Sequence, residues 1–152
     1  MTISISIDRI LEQVYALSAL DRITSGRIAD PHLAVLSSDN RPALQHVVRD
    51  AVAHIGLMLS SRAGIVKISV PDSADDGGLV GLDIDGSLDS GIAPLLRQQL
   101  EQAIVMYTFH LIYIPFSPGS AEAMHSRACS ALATVLSVLM SHNPPRLSLN
   151  IY

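Results

Sequence analysis

Apolar side chains recur with a helical period over residues 7–24 and again over residues 41–62, where they return every three or four positions. This spacing gathers them on one face of a helix. The stripe of the second stretch consists of Leu44, Val47, Val48, Ala51, Val52, Ile55, Met58 and Leu59. Ser6 precedes the first stretch as a candidate N-cap, and Pro42 fits the first turn of the second. The pattern predicts two amphipathic helices.

Beyond Gly64 the period of the apolar positions changes to the two-residue alternation that is typical of strands. Residues 65–70 and 79–85 both follow it. Their connection, residues 71–78, has the sequence PDSADDGG, which is acidic and rich in glycine. Such a composition predicts a mobile, solvated turn. We therefore expect a β-hairpin insertion over about residues 65–85.

Two further helices are predicted over residues 94–113 and 121–141. The first is apolar almost all round from Ala103 onward, which is typical of a central helix. The second is rich in alanine and serine, which let helices approach closely, and Ser120 is its candidate N-cap. The tail, residues 146–152, alternates strictly (RLSLNIY). It predicts a short C-terminal strand that pairs with the hairpin or with another subunit.

These elements predict one domain over residues 1–152, of the α+β class and mostly α. Its core is a four-helix arrangement, to which the hairpin and the C-terminal strand are added. The densest apolar runs, residues 103–116 and 128–140, are shorter than the roughly 18–20 residues that a membrane span requires. The N-terminus also lacks the basic start and long apolar run of a secretory signal. We expect no membrane span and a cytoplasmic or virion location.

Charge is scarce and unevenly placed. Charged residues make up 16% of the chain, mean hydropathy is +0.37 and the net charge is −4. The last 63 residues carry only Arg97, Glu101, Glu122, Arg127 and Arg146. A surface with so few charges favours a homo-oligomer, in which neighbours hide part of each subunit. The acidic balance and the single lysine, Lys67, argue against sequence-specific nucleic-acid binding and against a polybasic membrane patch.

One segment resembles an enzyme motif. The sequence LDIDGSLDSG at residues 82–91 is similar to the first motif of haloacid dehalogenase-like phosphatases. The resemblance implies a nucleophilic Asp83, a general acid/base Asp85 and a bound Mg²⁺ ion. However, those enzymes supply a lysine and further carboxylates after the motif, and no aspartate or lysine follows Asp89 here. We therefore interpret the segment as the end of a strand, a turn at Gly86 and the cap of a helix.

Metal and nucleophile candidates are also weak. Asp72, Asp75 and Asp76 offer oxygen ligands, but the EF-hand pattern is not met, so they predict a solvated acidic loop. His46 and His54 lie about 12 Å apart along one helix, too far for one ion. The remaining candidates are interpreted as a core histidine (His110), loop-bound or exposed histidines (His32, His125 and His142) and a buried structural thiol (Cys129). We expect no catalytic residue, no cofactor and no metal.

The order of elements resembles that of the small head–tail connector (neck adaptor) proteins of tailed phages and prophages. The resemblance covers about residues 7–141. It includes a leading helix, the capped helix in LSSDNRPALQHVVRDAVAHIGLMLSSRAG, a β excursion, the helix LRQQLEQAIVMYTFHLIY, a break with proline and glycine, and a final helix. It implies a subunit without an active site that forms a ring beneath the portal and contacts portal or tail proteins.

Within that resemblance, the acidic turn at residues 72–78 would line a channel that DNA passes without sticking. Two alternatives stay open. The first is a small intracellular binding or regulatory module that dimerises through the last helix, and the second is an enzyme that uses Asp83 and Asp85. The sequence alone gives neither the number of subunits nor the identity of a partner.

Overall fold

Four helices and three strands make up the residues that the computed structural model describes, which are 2–25, 41–63, 66–69, 79–84, 91–115 and 117–142. In chain order the elements are β1 (Thr2–Ser6), α1 (Ile7–Ser25), α2 (Arg41–Ala63), β2 (Val66–Ser69), β3 (Leu79–Ile84), α3 (Ala93–Tyr113) and α4 (Pro118–His142). The prediction of a mostly helical protein with four helices is confirmed. The predicted C-terminal strand at residues 146–152 lies outside the described residues.

The strands form one antiparallel sheet in the order β1-β3-β2. Leu82 at its centre is in register with Ile3 of β1 on one side and with Ile68 of β2 on the other. Sequence reasoning missed β1. The alternation of Ile3 and Ile5, both buried, is its signature, but it runs straight into a helix at Ile7. The connection at residues 70–78, on which the predicted hairpin depends, lies outside the described residues.

The helix ends follow capping chemistry. The backbone N–H of Arg9 donates to the Ser6 hydroxyl oxygen at 3.4 Å, so Ser6 caps α1 as predicted. The predicted cap of α4 at Ser120 is wrong, because the helix already begins at Pro118. The N–H of Ala121 donates to the Ser117 carbonyl oxygen at 2.9 Å, which closes the first turn around a proline that needs no amide partner.

The core is built around α3. This helix contacts α1, α2, α4 and β1, and its buried apolar residues include Leu96, Leu100, Ala103, Ile104 and Val105. Its burial weakens toward the C-terminus, where residues 110–113 are half-buried and Ile114 is 50% exposed. The end of α3 and the beginning of α4 therefore form a partly open edge of the core.

Two polar links join α1 to its neighbours. Glu101 of α3 is buried, and its Oε2 lies 3.5 Å from Nε of Arg9 and accepts a hydrogen bond from Nε2 of Gln13 at 3.4 Å. On the surface, Arg41 at the start of α2 donates to the Asp8 carboxylate at 2.7 Å. Because both members of this second pair are about half exposed, it contributes little to stability.

Candidate functional site

Four rings from three helices lie together at the open end of α3. Tyr107 is central, with ring-centroid distances of 5.5 Å to His54 of α2, 5.2 Å to His110 of α3 and 5.9 Å to His125 of α4. His110 and His125 are 4.9 Å apart. Tyr107 and His110 share a helix face because they are three residues apart. We call these four residues the ring cluster.

His110 has a defined tautomer. Its Nδ1 lies 2.7 Å from the backbone carbonyl oxygen of Ala121. A carbonyl oxygen only accepts, so Nδ1 carries the hydrogen and donates it. In the neutral ring, Nε2 is then left with its lone pair. The hydrogen bond also fixes the half-buried ring between α3 and α4. The expectation of a core histidine is met only in part, since His110 is hydrogen-bonded but half-buried.

His125 and Cys129 correct two predictions. His125 lies within α4 and is half-buried, so it is neither in a loop nor exposed. Cys129 is an exposed free cysteine one helical turn further on, so it is not a buried thiol. Its Sγ lies 3.8 Å from Nδ1 and 3.9 Å from Nε2 of His125. Of the other two histidines expected in loops, His142 ends α4, and His32 lies outside the described residues.

Tyr107 is only 8% exposed. Burial raises the pKa of its phenol above the ordinary value of 10.0, and the nearby negative charge of the Cys129 thiolate adds to the rise. The phenol therefore stays protonated throughout the physiological pH range. At the centre of the ring cluster it is a neutral, mostly apolar group.

A shallow cavity of about 290 Å³ opens beside the ring cluster. It is lined by His110, Ile114, Pro118, Ala121, Glu122 and His125. The walls come from the last turn of α3 and the first two turns of α4. Its polar groups are two imidazoles and one carboxylate, so small molecules and cations are the ligands that its chemistry suits.

The predicted sites fall elsewhere. Asp83 is in β3, in register with Thr2 and Lys67 of the flanking strands. Its presumed partner Asp85, and the acidic residues 72, 75 and 76, lie outside the described residues. Within the described ranges, no group of three or more His, Cys, Asp or Glu side chains is already arranged to hold a metal ion.

The ring cluster has a signal in the sequence, which is the spacing of its residues on either side of a helix turn. Antiparallel helices joined by a short turn bring together residues at equal distances from that turn. Because α3 ends at Tyr113 and α4 begins at Pro118, His125 of α4 returns to the level of Tyr107 of α3. The proximity of His110, His125 and Tyr107 does not show when each histidine is considered alone.

The outward face of α4 is a second candidate site. It presents six exposed residues at alternating intervals of three and four: Ala123, Ser126, Ser130, Ala133, Ser137 and Met140. We call these residues the α4 seam. None is charged, and Glu122 and Arg127, both exposed, flank the N-terminal end of the seam. The Ser130 hydroxyl donates to the Ser126 carbonyl oxygen at 3.1 Å, so the helix itself satisfies part of the polarity of the seam.

One of the described helices, α4, is long and apolar enough over Pro118–Ser141 to cross a membrane by length and composition alone. Only 28% of its apolar stretch is buried, unlike a fully enclosed core helix. The helix is longer than the apolar run of residues 128–140, because it also contains alanine, serine and threonine residues before and within that run. A single helix of this length and composition is weak evidence for a membrane span, because core helices of soluble proteins share these properties.

No protein-family model matches this chain, and no curated protein or solved structure matches it significantly. Its candidate sites must be judged on their own residues.

Proposed function

We propose that this protein is a non-enzymatic assembly subunit that associates with copies of itself through the α4 seam, in the manner of a phage or prophage head–tail connector. The observation that carries the proposal is the seam itself. Six consecutive positions at the spacing of a helix-pairing interface are exposed, uncharged and mostly small.

The spacing of the seam suits a helix partner. Alternating steps of three and four place residues on the line along which two helices pack. Alanine and serine at these positions permit close approach of the two backbones, and Met140 can adapt its shape at one end. Glu122 and Arg127 carry opposite charges beside the seam, so a second copy offers each a complementary charge.

Exposed large side chains elsewhere support assembly with more than one neighbour. Leu20 of α1 is 54% exposed and Leu95 at the start of α3 is 50% exposed. Single exposed leucines are ordinary. Here they accompany a chain with only 16% charged residues, and a ring subunit needs contact surfaces on more than one side.

The connector assignment draws on the order of the helices and on this uncharged surface. Portal and tail proteins are the partners that it proposes, and assembly on a portal would place the protein in the virion. A gene neighbourhood containing portal, capsid and tail genes would support this assignment specifically. If portal, capsid and tail genes are absent from the neighbourhood, the proposal of self-association remains, but the connector assignment loses its support.

The cavity beside the ring cluster favours a second candidate, a small oligomeric binding or regulatory module. Two imidazoles and a carboxylate meet there against apolar walls. Such a lining suits the binding of a small ligand, which self-association alone does not require. In both candidates the chain associates through α4 and catalyses no reaction.

The test is the mass of the protein in solution, measured by light scattering over a range of concentrations. We expect the wild-type chain to exceed the monomer mass of 16.3 kDa and Ala133→Glu to return it to a monomer, because the substitution buries an unpaired charge in the seam. Ala53→Glu places the same charge on an exposed position of α2 and is the matched control.

Two results would contradict the proposal. One is a wild-type monomer at the highest concentration reached. The other is an assembly that Ala133→Glu leaves intact. Recovery of the wild-type chain only with lipid vesicles or detergent would instead make α4 a membrane helix.

A further inference from the structure

We propose that the cavity between the end of α3 and the beginning of α4 binds a small organic ammonium ion. In this arrangement Glu122 opposes the charge of the ligand, and Ile114 and Pro118 contact its apolar part. The inference gives a ligand class to the second candidate function, a binding module, and rests on that candidate. It does not depend on self-association, because a single chain lines the cavity.

The cavity lies between two helix faces that are fixed to each other. The wall from α4 consists of residues three or four positions apart, which share one face of a helix: Pro118, Ala121, Glu122 and His125. His110 and Ile114 of α3 are four positions apart and form the opposite wall. A hydrogen bond of 2.7 Å from Nδ1 of His110 to the Ala121 carbonyl oxygen joins the two walls. The walls are therefore in place before a ligand binds.

The polar groups of the cavity favour a ligand that donates hydrogen bonds. His110 already gives its Nδ1 hydrogen to Ala121, so the neutral ring has only the lone pair of Nε2 left for a ligand. The ionised carboxylate of Glu122 also only accepts. A ligand that satisfies both residues must donate two hydrogen bonds, as an ammonium group does.

Charge selects an ammonium ion over an anion. Among the described residues that line the cavity, Glu122 is the only carboxylate, and none is a lysine or an arginine. A bound anion would therefore meet a like charge without an opposite one. An ammonium ion brings its own hydrogens and needs one opposite charge. A metal ion would need at least three converging ligands, which the described side chains do not offer.

The size and the apolar wall of the cavity limit the rest of the ligand. A water molecule occupies about 30 Å³ of liquid water, so the cavity volume of about 290 Å³ suits a ligand of at most about ten non-hydrogen atoms. Ile114 is 50% exposed, and a ligand that covers it removes apolar surface from water. The expected ligand is an amine with a short apolar body.

The test is a titration of the full chain with phenethylammonium, followed by proton NMR of the imidazole C–H signals. The probes 2-phenylethanol and phenylacetate have a similar shape but are neutral and anionic. We expect saturable shifts at His110 and His125, and none at His46, an exposed histidine of α2. Phenethylammonium should bind more tightly than 2-phenylethanol, and phenylacetate should bind most weakly.

The variant Glu122→Gln tests the charge. It should lower the affinity for phenethylammonium about fivefold, the upper range for an exposed ion pair, and leave that for 2-phenylethanol unchanged. Asp50→Asn removes an exposed carboxylate of α2 and is the matched control, because it changes the net charge equally. Circular dichroism checks that both variants are folded. Unchanged affinity in Glu122→Gln, or an equal loss in Asp50→Asn, would overturn the inference.

The remaining outcomes separate this inference from the proposed functions. Ala133→Glu, in which self-association should be lost, should bind phenethylammonium as the wild-type chain does, since Ala133 does not line the cavity. If phenylacetate binds as tightly as phenethylammonium, the ammonium ligand is wrong but the binding module remains. If none of the three probes gives saturable shifts, both are wrong, whereas the mass of the wild-type chain still decides self-association.

Discussion

The substitution Ile104→Ala is the most direct test of the architecture, because the core is built around α3. Ile104 is 1% exposed in the middle of that helix. The change removes three carbon atoms from the core, which costs about 2.4 kcal/mol at about 0.8 kcal/mol for each buried carbon. The unfilled cavity raises the total to about 3–4 kcal/mol. A domain of ordinary stability would lose a large part of its free energy of unfolding.

Urea unfolding followed by far-ultraviolet circular dichroism measures this loss. The wild-type and variant chains should be compared at several protein concentrations, because any self-association adds a concentration-dependent stabilisation. We expect the midpoint to move to lower urea with little change in the slope, as for a loss of stability without a change of fold.

Leu57→Ala is the matched control. It also truncates a large aliphatic side chain within a helix, but Leu57 is 68% exposed. The free energy of unfolding should change by no more than about 0.5 kcal/mol. If Ile104→Ala costs less than about 1 kcal/mol, or if both variants cost the same, then α3 is not the centre of the core.

Three smaller predictions concern polar groups. Asp8→Ala should cost less than about 1 kcal/mol in urea unfolding, because its ion pair with Arg41 is about half exposed. Thr108→Val should change stability by less than about 1 kcal/mol, since the hydroxyl of this buried residue bonds only to its own helix. The raised pKa of Tyr107 stabilises the fold fully below about pH 10 and ceases to do so as pH rises through the raised value. Ultraviolet titration should show one late-ionising tyrosine that Tyr107→Phe removes.

The helices could be predicted closely because their signals are local. The apolar stripe of α2 and the proline at its start place both of its ends within one residue of the observed bounds. The prediction failed at the N-terminus, where the short alternating pattern of a strand is followed at once by the longer helical pattern of α1. Ile3 and Ile5 alternate over only the five residues of β1, and the pattern then joins the stripe of α1 directly, so β1 was not recognised. The partner of β1 is β3, which is distant in the sequence.

The site was harder to predict because it depends on tertiary contacts. The sequence predicts His110 to be a core residue, whereas its ring is half-buried and lines the cavity at the edge of the core. The exposure of Cys129 and the burial of His125 depend on which side of α4 faces α3. Alanine occurs on both sides of that helix, for example at buried Ala128 and at exposed Ala133, so the small residues alone do not show which side faces α3. Only the packing of α3 against α4 determines which way His125 and Cys129 point.

The scarcity of charge on α4 explains how one helix serves the core and also supports the proposed self-association. A helix with strongly separated apolar and charged faces has only one face free of charge to offer, and the core uses it. In α4 the core takes residues such as Ala128, Leu132 and Leu139, yet the outward seam from Ala123 to Met140 remains uncharged. The ring cluster lies on a third side, toward the end of α3. The proposed self-association therefore depends on side chains of α4 that neither the core nor the ring cluster uses.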